Sequence, residues 1–280
     1  MKVVEKVAVT DDLRGSISEA VGGLGGFGSF IKAGETVLLK PNFNTADPYP
    51  ASTDLDFLRC IVQLTLEQDT ARVIVAESSA LNENTSGNME MLGVKELETL
   101  SPAFEVINLN KAKWIQKVNP GAKYLRKVRV PQLLDQVDRL ILLPCLKTHH
   151  LAQFTGSLKL SVAFMKPRER IALHFRNLQQ KVAELNLLIH PDLIIMDGRK
   201  CFINGGPSIG EVREPKLILS STNRIALDVE GIRIIQSYPG NSLTGIDPFE
   251  IPQIKLAKTI GIGEAYQFED LALQASISAS

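Results

Sequence analysis

Short runs rich in Val, Ile and Leu recur along the chain, each bounded by turn-forming residues. Residues 2–10, 35–40, 72–77, 104–109, 124–130, 139–144, 192–197 and 216–221 fit that description and predict strands. Several are apolar at nearly every position, as expected of interior strands covered on both faces. Between them the apolar positions take helical spacing. Thr53 is followed by Asp54 and Asp56, and Leu58, Ile61, Val62 and Leu66 then predict a helix through Glu67. Residues 186–189 close another helix, and residues 223–235 and 252–260 predict two more, the last with proline at its start. This alternation defines an α/β fold class: a mainly parallel or mixed central sheet with helices on both faces, and room for two lobes.

No internal repeat or low-complexity linker divides the chain, so residues 1–266 are read as a single α/β domain and residues 267–280 as a loosely ordered tail. The polar stretch 78–88 follows a predicted strand. It is either a solvated connection or the border of a site, since ligands of open α/β sheets collect at the carboxyl ends of strands. Residues 111–127, with the sole tryptophan Trp114, read as a small excursion from the main sheet. No apolar run approaches the roughly 20 residues of a membrane span, and the first six residues carry no apolar signal region. A cytoplasmic protein with no membrane partner is therefore expected. Cys60, Cys145 and Cys201 are odd in number and far apart, which argues against a disulfide framework or a cysteine metal site. Buried thiols and no intrinsic iron–sulfur cluster are expected.

Charge changes this picture locally. The chain holds 31 basic and 31 acidic residues, yet residues 142–176 carry Lys147, Lys159, Lys166, Arg168, Arg170 and Arg176 against Glu169 alone. His149, His150 and His174 share that window, which points to an anion site with proton-transfer groups. An aromatic content of 6%, zero net charge and no recognised motif argue against nucleic acid. Two motif matches are set aside. Gly23 to Gly28 fits G-x-G-x-x-G but follows a helical stretch and precedes a strand, the reverse of a dinucleotide fingerprint. Gly206 to Gly210 fits G-x-S-x-G, but no histidine follows Ser208.

The strongest candidates lie at strand ends. The apolar run 140–143 stops at Pro144, and Lys147, Thr148 and His149 follow. There a lysine neutralises an anion, a threonine orients it and a histidine moves a proton. In an extended segment only one of His149 and His150 faces the site. Residues 155–159 form a small, polar helix entry in which Ser157 and the helix N–H groups hold an oxyanion beside Lys159; an ordinary N-cap explains it equally well. Arg170 and His174 share a helix face. Lys40 and Asn42 end one strand, and Glu77 and Ser78 another. Asp197-Gly198 ends a third, with Gly205 and Gly206 as a glycine-lined wall and Asp197 as a metal or hydroxyl partner; plain turn chemistry is the alternative. Asp228 lies in an apolar helix and needs a partner.

Leu39-Lys40-Pro41-Asn42, Pro144 to His149, Thr155 to Lys159 leading to His174, Asp197-Gly198 with Gly205-Gly206-Pro207, and Ala226-Leu227-Asp228 together resemble the DUF362 family over about residues 37–263. The resemblance favours His149 over His150. Many family members carry a ferredoxin-like cysteine-rich segment that is absent here, and Leu160 stands where relatives usually have asparagine. The family is distantly similar to the N-terminal part of nickel-dependent lactate racemases, in which histidines shuttle protons and a lysine anchors a pyridinium-derived cofactor. That likeness implies acid–base chemistry on a small carboxylate and leaves the cofactor unknown. Two readings follow. One is a small-anion-binding protein with His149 as acid or base; the other is a non-catalytic accessory subunit for a ferredoxin-like iron–sulfur partner.

Overall fold

The computed structural model describes residues 3–262, so the tail expected at 267–280 lies outside the described residues. Twelve strands are described: β1 (Glu5–Ala8), β2 (Thr36–Lys40), β3 (Arg72–Glu77), β4 (Phe104–Asn108), β5 (Trp114–Val118), β6 (Lys127–Pro131), β7 (Arg139–Leu142), β8 (Cys145–His149), β9 (Gln153–Thr155), β10 (Leu193–Gly205), β11 (Gly210–Arg213) and β12 (Leu217–Ser221). Ten join one mixed sheet with the order β1-β12-β10-β7-β2-β3-β4, to which β8 and β11 attach through β10 and β9 through β8. Pairing from β10 to β4 is parallel, and β12 runs antiparallel to both β10 and β1. The expected excursion is a separate antiparallel ribbon of β5 and β6. The segment 124–130, expected among the sheet strands, therefore belongs to that ribbon.

Helices cover both faces. α1 (Leu13–Gly22), α2 (Phe27–Phe30), α3 (Leu55–Leu66) and α4 (Thr85–Met91) lie on one side. α5 (Ser157–Leu160), α6 (Pro167–Phe175), α7 (Leu178–Leu185), α8 (Arg224–Gln236) and α9 (Pro252–Thr259) lie on the other. Alternation along the interior strands divides their side chains accordingly. Val37, Leu39, Val73 and Val75 pack with Ile17, Phe57 and Ile61, whereas Leu38, Ile74 and Ala76 join the core of Leu158, Val182 and Ile232. Asp54 caps α3 by accepting from the Phe57 N–H at 3.0 Å. Thr53 serves the preceding loop instead, accepting from the Asn42 N–H at 2.7 Å.

Two corrections at the sheet centre create the site. Pro144 does not end the extended segment: β7 pairs with β2 only as far as Leu142 opposite Lys40, and β8 continues as a buried strand along β10. Likewise Asp197-Gly198 is not a turn. It lies inside the 13-residue β10, whose first part pairs with β7 and β12 and whose last part pairs with β8 and β11. Ladders on both sides override local turn preference. Because β2 ends where β8 goes on, the sheet splits between them and leaves a crevice. The glycine-rich segment set aside earlier joins α1 to α2 and β2, and the second set-aside match is the turn between β10 and β11.

Candidate functional site

The crevice holds a cavity of about 200 Å³. Lys40, Asn42, Glu77, Lys147, His149 and Lys159 all line it, joined by Thr155 and Arg170. The loop after β3 borders it through Ala80 and Leu81. Six of the sequence candidates thus come from three strand ends and one short helix to a single enclosure.

The floor is a closed set of charges. Lys40 is fully buried, and its ammonium donates to both Glu77 carboxylate oxygens at 2.8 Å and to the Pro41 carbonyl at 2.5 Å. Glu77 also accepts from the Phe43 and Ser78 N–H groups at 2.6 and 2.7 Å. Burial pulls the Lys40 pKa down, and Glu77 opposes the fall. Arg170 reaches in from α6 and spends its donors on protein: Nε on the Met165 carbonyl, Nη1 on the Ser78 and Ser79 carbonyls, and Nη2 on the Ala163 carbonyl and the Ser78 hydroxyl. All five guanidinium N–H groups are thereby used. Its pKa falls to about 10, chiefly through burial.

The wall is different. Alternation along β8 aims Lys147 and His149 to the cavity, while Lys147 donates to the Ala51 carbonyl and burial lowers its pKa. Lys159, half-buried on α5, makes no hydrogen bond or ion pair with a described residue, and burial with Lys147 and Arg170 nearby pushes its pKa down to about 7. The Thr155 hydroxyl is buried and unpartnered. His149 Nδ1 accepts from the Leu151 and Ala152 N–H groups at 3.0 and 3.2 Å, which leaves the neutral ring's proton on Nε2. His150 stacks on it with centroids 4.9 Å apart and turns its own Nδ1 to the Gly206 carbonyl at 3.0 Å.

Five candidates stand elsewhere. Thr148 points to the opposite side of β8, where its hydroxyl is buried without a partner, so it does not orient a cavity ligand. Gly205 and Gly206 shape the turn behind it: Gly206 has φ +55°, and a Cβ there would stand 2.0 Å from the Thr148 carbonyl oxygen. They make no cavity wall; Pro207 does. Ser157 is not an anion site either, because Asp228 is already there. The Asp228 carboxylate accepts from the Ser157 and Leu158 N–H groups at 2.6 and 3.1 Å, satisfying the start of α5 from within. Burial nonetheless raises Asp228 to about 6.

Asp197 also stands away from the cavity. Its carboxylate is taken by Arg199, at 2.7 Å to Nη2, and by the Tyr49 hydroxyl at 2.7 Å, which leaves it a structural anchor rather than a metal or ligand partner. His174 lies on α6, but its side chain is outside the described residues. The three cysteines are free thiols; burial pushes Cys145 up to about 11 and Cys201 up to about 12. Among the described residues no cluster of three or more His, Cys, Asp or Glu side chains is arranged to hold a metal ion. No described helix is long and apolar enough to cross a membrane.

Arg170 and Thr155 were missed as site residues. Arg170 reads in sequence as one arginine of an exposed basic helix, and only its buried acceptors set it apart. Thr155 sits four residues before Lys159 in a stretch already singled out, so its signal was present but unassigned.

A mixed α/β sheet that splits at its centre over a lysine-lined cavity is the class these features define. The chain belongs to the DUF362 family, the domain of unknown function whose description matches residues 37–233. It is 24% identical over 253 residues to a thylakoid-associated protein of Synechocystis sp., covering 85% of this chain and 72% of that one. It is also similar to the lactate racemase apoprotein of Thermoanaerobacterium thermosaccharolyticum, with a TM-score of 0.47 and 12% identity. That likeness covers 78% of this chain and 54% of the racemase, so this chain spans about half of that protein's length.

Proposed function

We propose that the cavity binds a small anion, best matched by a carboxylate, with His149 as its acid–base group. One observation carries the reading: the wall lysines have donors left over. An ammonium has three N–H groups, of which Lys147 gives one to Ala51 and Lys159 gives none to any described residue. Unused donors on a buried ammonium such as Lys147 are normally satisfied, so a ligand with acceptor oxygens fits it and the half-buried Lys159 nearby. Lys147, Lys159 and Arg170 supply positive charge, and Glu77, the acid in the described lining, is committed to Lys40. A cavity of about 200 Å³ lies below the roughly 300 Å³ at which drug-sized sites begin, which favours a ligand of few atoms.

The test is thermal stabilisation and calorimetric titration of the full chain with lactate, malonate, phosphate and sulfate. Saturable binding that Lys147→Met and Lys159→Gln weaken supports the reading. Binding that is absent, or unchanged in both variants, overturns it.

The accessory reading has one observation of its own. Ile171 and Phe175 are exposed on α6 with Arg168 and Arg176 in the same helical region, a face that suits an acidic ferredoxin-like partner. Co-elution with a purified ferredoxin, lost in Phe175→Ser, favours it. The cytoplasmic location expected from the sequence stands beside the thylakoid association of the Synechocystis relative. Fractionation of producing cells decides between a soluble pool and one bound at a membrane surface.

A further inference from the structure

Among the cations that line the cavity, Lys159 has surroundings suited to chemistry rather than to holding the fold. Lys40 is neutralised by Glu77, Arg170 is saturated by protein acceptors, and Lys147 is tied to Ala51. Lys159 has no described hydrogen-bond or ion-pair partner, and Thr155, four residues earlier on the same cavity wall, is 6% exposed with its hydroxyl buried and without a described partner. We propose that Lys159 is a nucleophile that condenses with the carbonyl carbon of a small oxo acid, whose carboxylate is held by Lys147. The inference rests on the anion-binding reading and names the ligand class for that same site.

Cavity size and the count of spare donors point to this class. The two N–H groups left on Lys147 match the two oxygens of a carboxylate, and the remaining space suits an aldehyde or ketone of a few carbons. The depressed basicity of Lys159 leaves a large fraction as free amine near neutral pH, the form that attacks a carbonyl. The step balances without an oxidant or reductant. The amine nitrogen attacks the carbonyl carbon, the C–O π pair moves to oxygen, and that oxygen takes a proton to give a carbinolamine. The nitrogen loses a proton, the hydroxyl takes a second proton and departs as water, and the nitrogen lone pair closes the C=N bond as the C–O bond breaks. A protonated imine between Lys159 and the ligand remains, the form that borohydride reduces. The Thr155 hydroxyl and His149 are the cavity groups available to pass those protons.

The experiment is borohydride trapping on the full chain with glyoxylate and with pyruvate, read by intact mass and peptide mapping. Acetaldehyde serves as a carbonyl control without a carboxylate, and lactate as a carboxylate without a carbonyl. The expected result is one reduced adduct on Lys159 with either oxo acid and no such selectivity with acetaldehyde. Lys159→Arg should lose the adduct; Lys147→Met should lose selectivity for the oxo acids. If lactate binds but trapping is absent or scattered over surface lysines, the imine is excluded and the anion site stands. If neither lactate nor an oxo acid binds, both readings fall. Should Lys159→Arg fail to fold, Thr155→Val, which keeps side-chain shape, provides the second variant. It is expected to slow adduct formation, and an unchanged rate removes Thr155 from the step.

Discussion

Lys40 and Lys159 line the same cavity, yet among the described residues Lys40 alone of the two has an acid to meet. On the floor, Lys40 is enclosed with Glu77 at 2.8 Å, and the carboxylate is braced by two backbone N–H groups. On the wall, Lys159 faces space shared with Lys147 and Arg170 and has no described acceptor. The difference separates a charge that holds the strand ends together from a charge held open for something else. Burial alone does not distinguish them, since it lowers the pKa of both.

The largest effect is expected on the floor. Glu77→Gln leaves Lys40 buried beside a neutral amide and should cost about 3–5 kcal/mol in denaturant unfolding. The paired change Lys40→Met with Glu77→Leu should recover much of that loss. A single-variant cost below about 1 kcal/mol would end the contrast.

Next comes the support of the wall. Gly206→Ala places a methyl group 2.0 Å from the Thr148 carbonyl oxygen at φ +55°, and should destabilise by about 2–3 kcal/mol while disturbing β8. Its effect on carboxylate affinity would show how far the wall depends on that turn.

Lys159→Gln should behave in the opposite sense to the floor variants. Stability is expected to change by less than about 1 kcal/mol, while carboxylate binding weakens by about 10- to 100-fold, measured by titration calorimetry. Equal losses of stability and binding would assign Lys159 to the fold.

The smallest effect is one of pH. Lys159 carries its charge below about 7 and loses it above, so anion affinity should fall as pH rises through that value, by at most about tenfold per unit. Lys159→Arg, charged throughout, should flatten the profile. A fall that persists in the arginine variant would point to another group.

Much of this arrangement was legible before folding was considered. β2 and β3 are apolar runs that end in Lys40 and Glu77, and their covered interior forced the layered fold. β8 was not legible, because Pro144 resembles a terminator and a strand containing Lys147, Thr148 and His149 does not resemble a buried one. Asp197-Gly198 resembles a turn for a similar reason: local preference speaks for two residues, while the ladders of β8, β11 and β12 act on the whole of β10. Asp228 was flagged as a buried acid in need of a partner. Its partner, the start of α5, was read independently as a site for an external anion.

The chain by itself determined the alternation of strands and helices and the gathering of cations between residues 142 and 176, since both follow from side-chain type and spacing. The tertiary structure decided which charged and polar groups at the strand ends are matched. Matching depends on contacts across sequence: Lys40 meets Glu77 from 37 residues away, and the start of α5 meets Asp228 from 71. Among the described residues Lys159 meets no comparable carboxylate: Glu77, the acid of the cavity lining, is committed to Lys40, and Asp228 is committed to the start of α5.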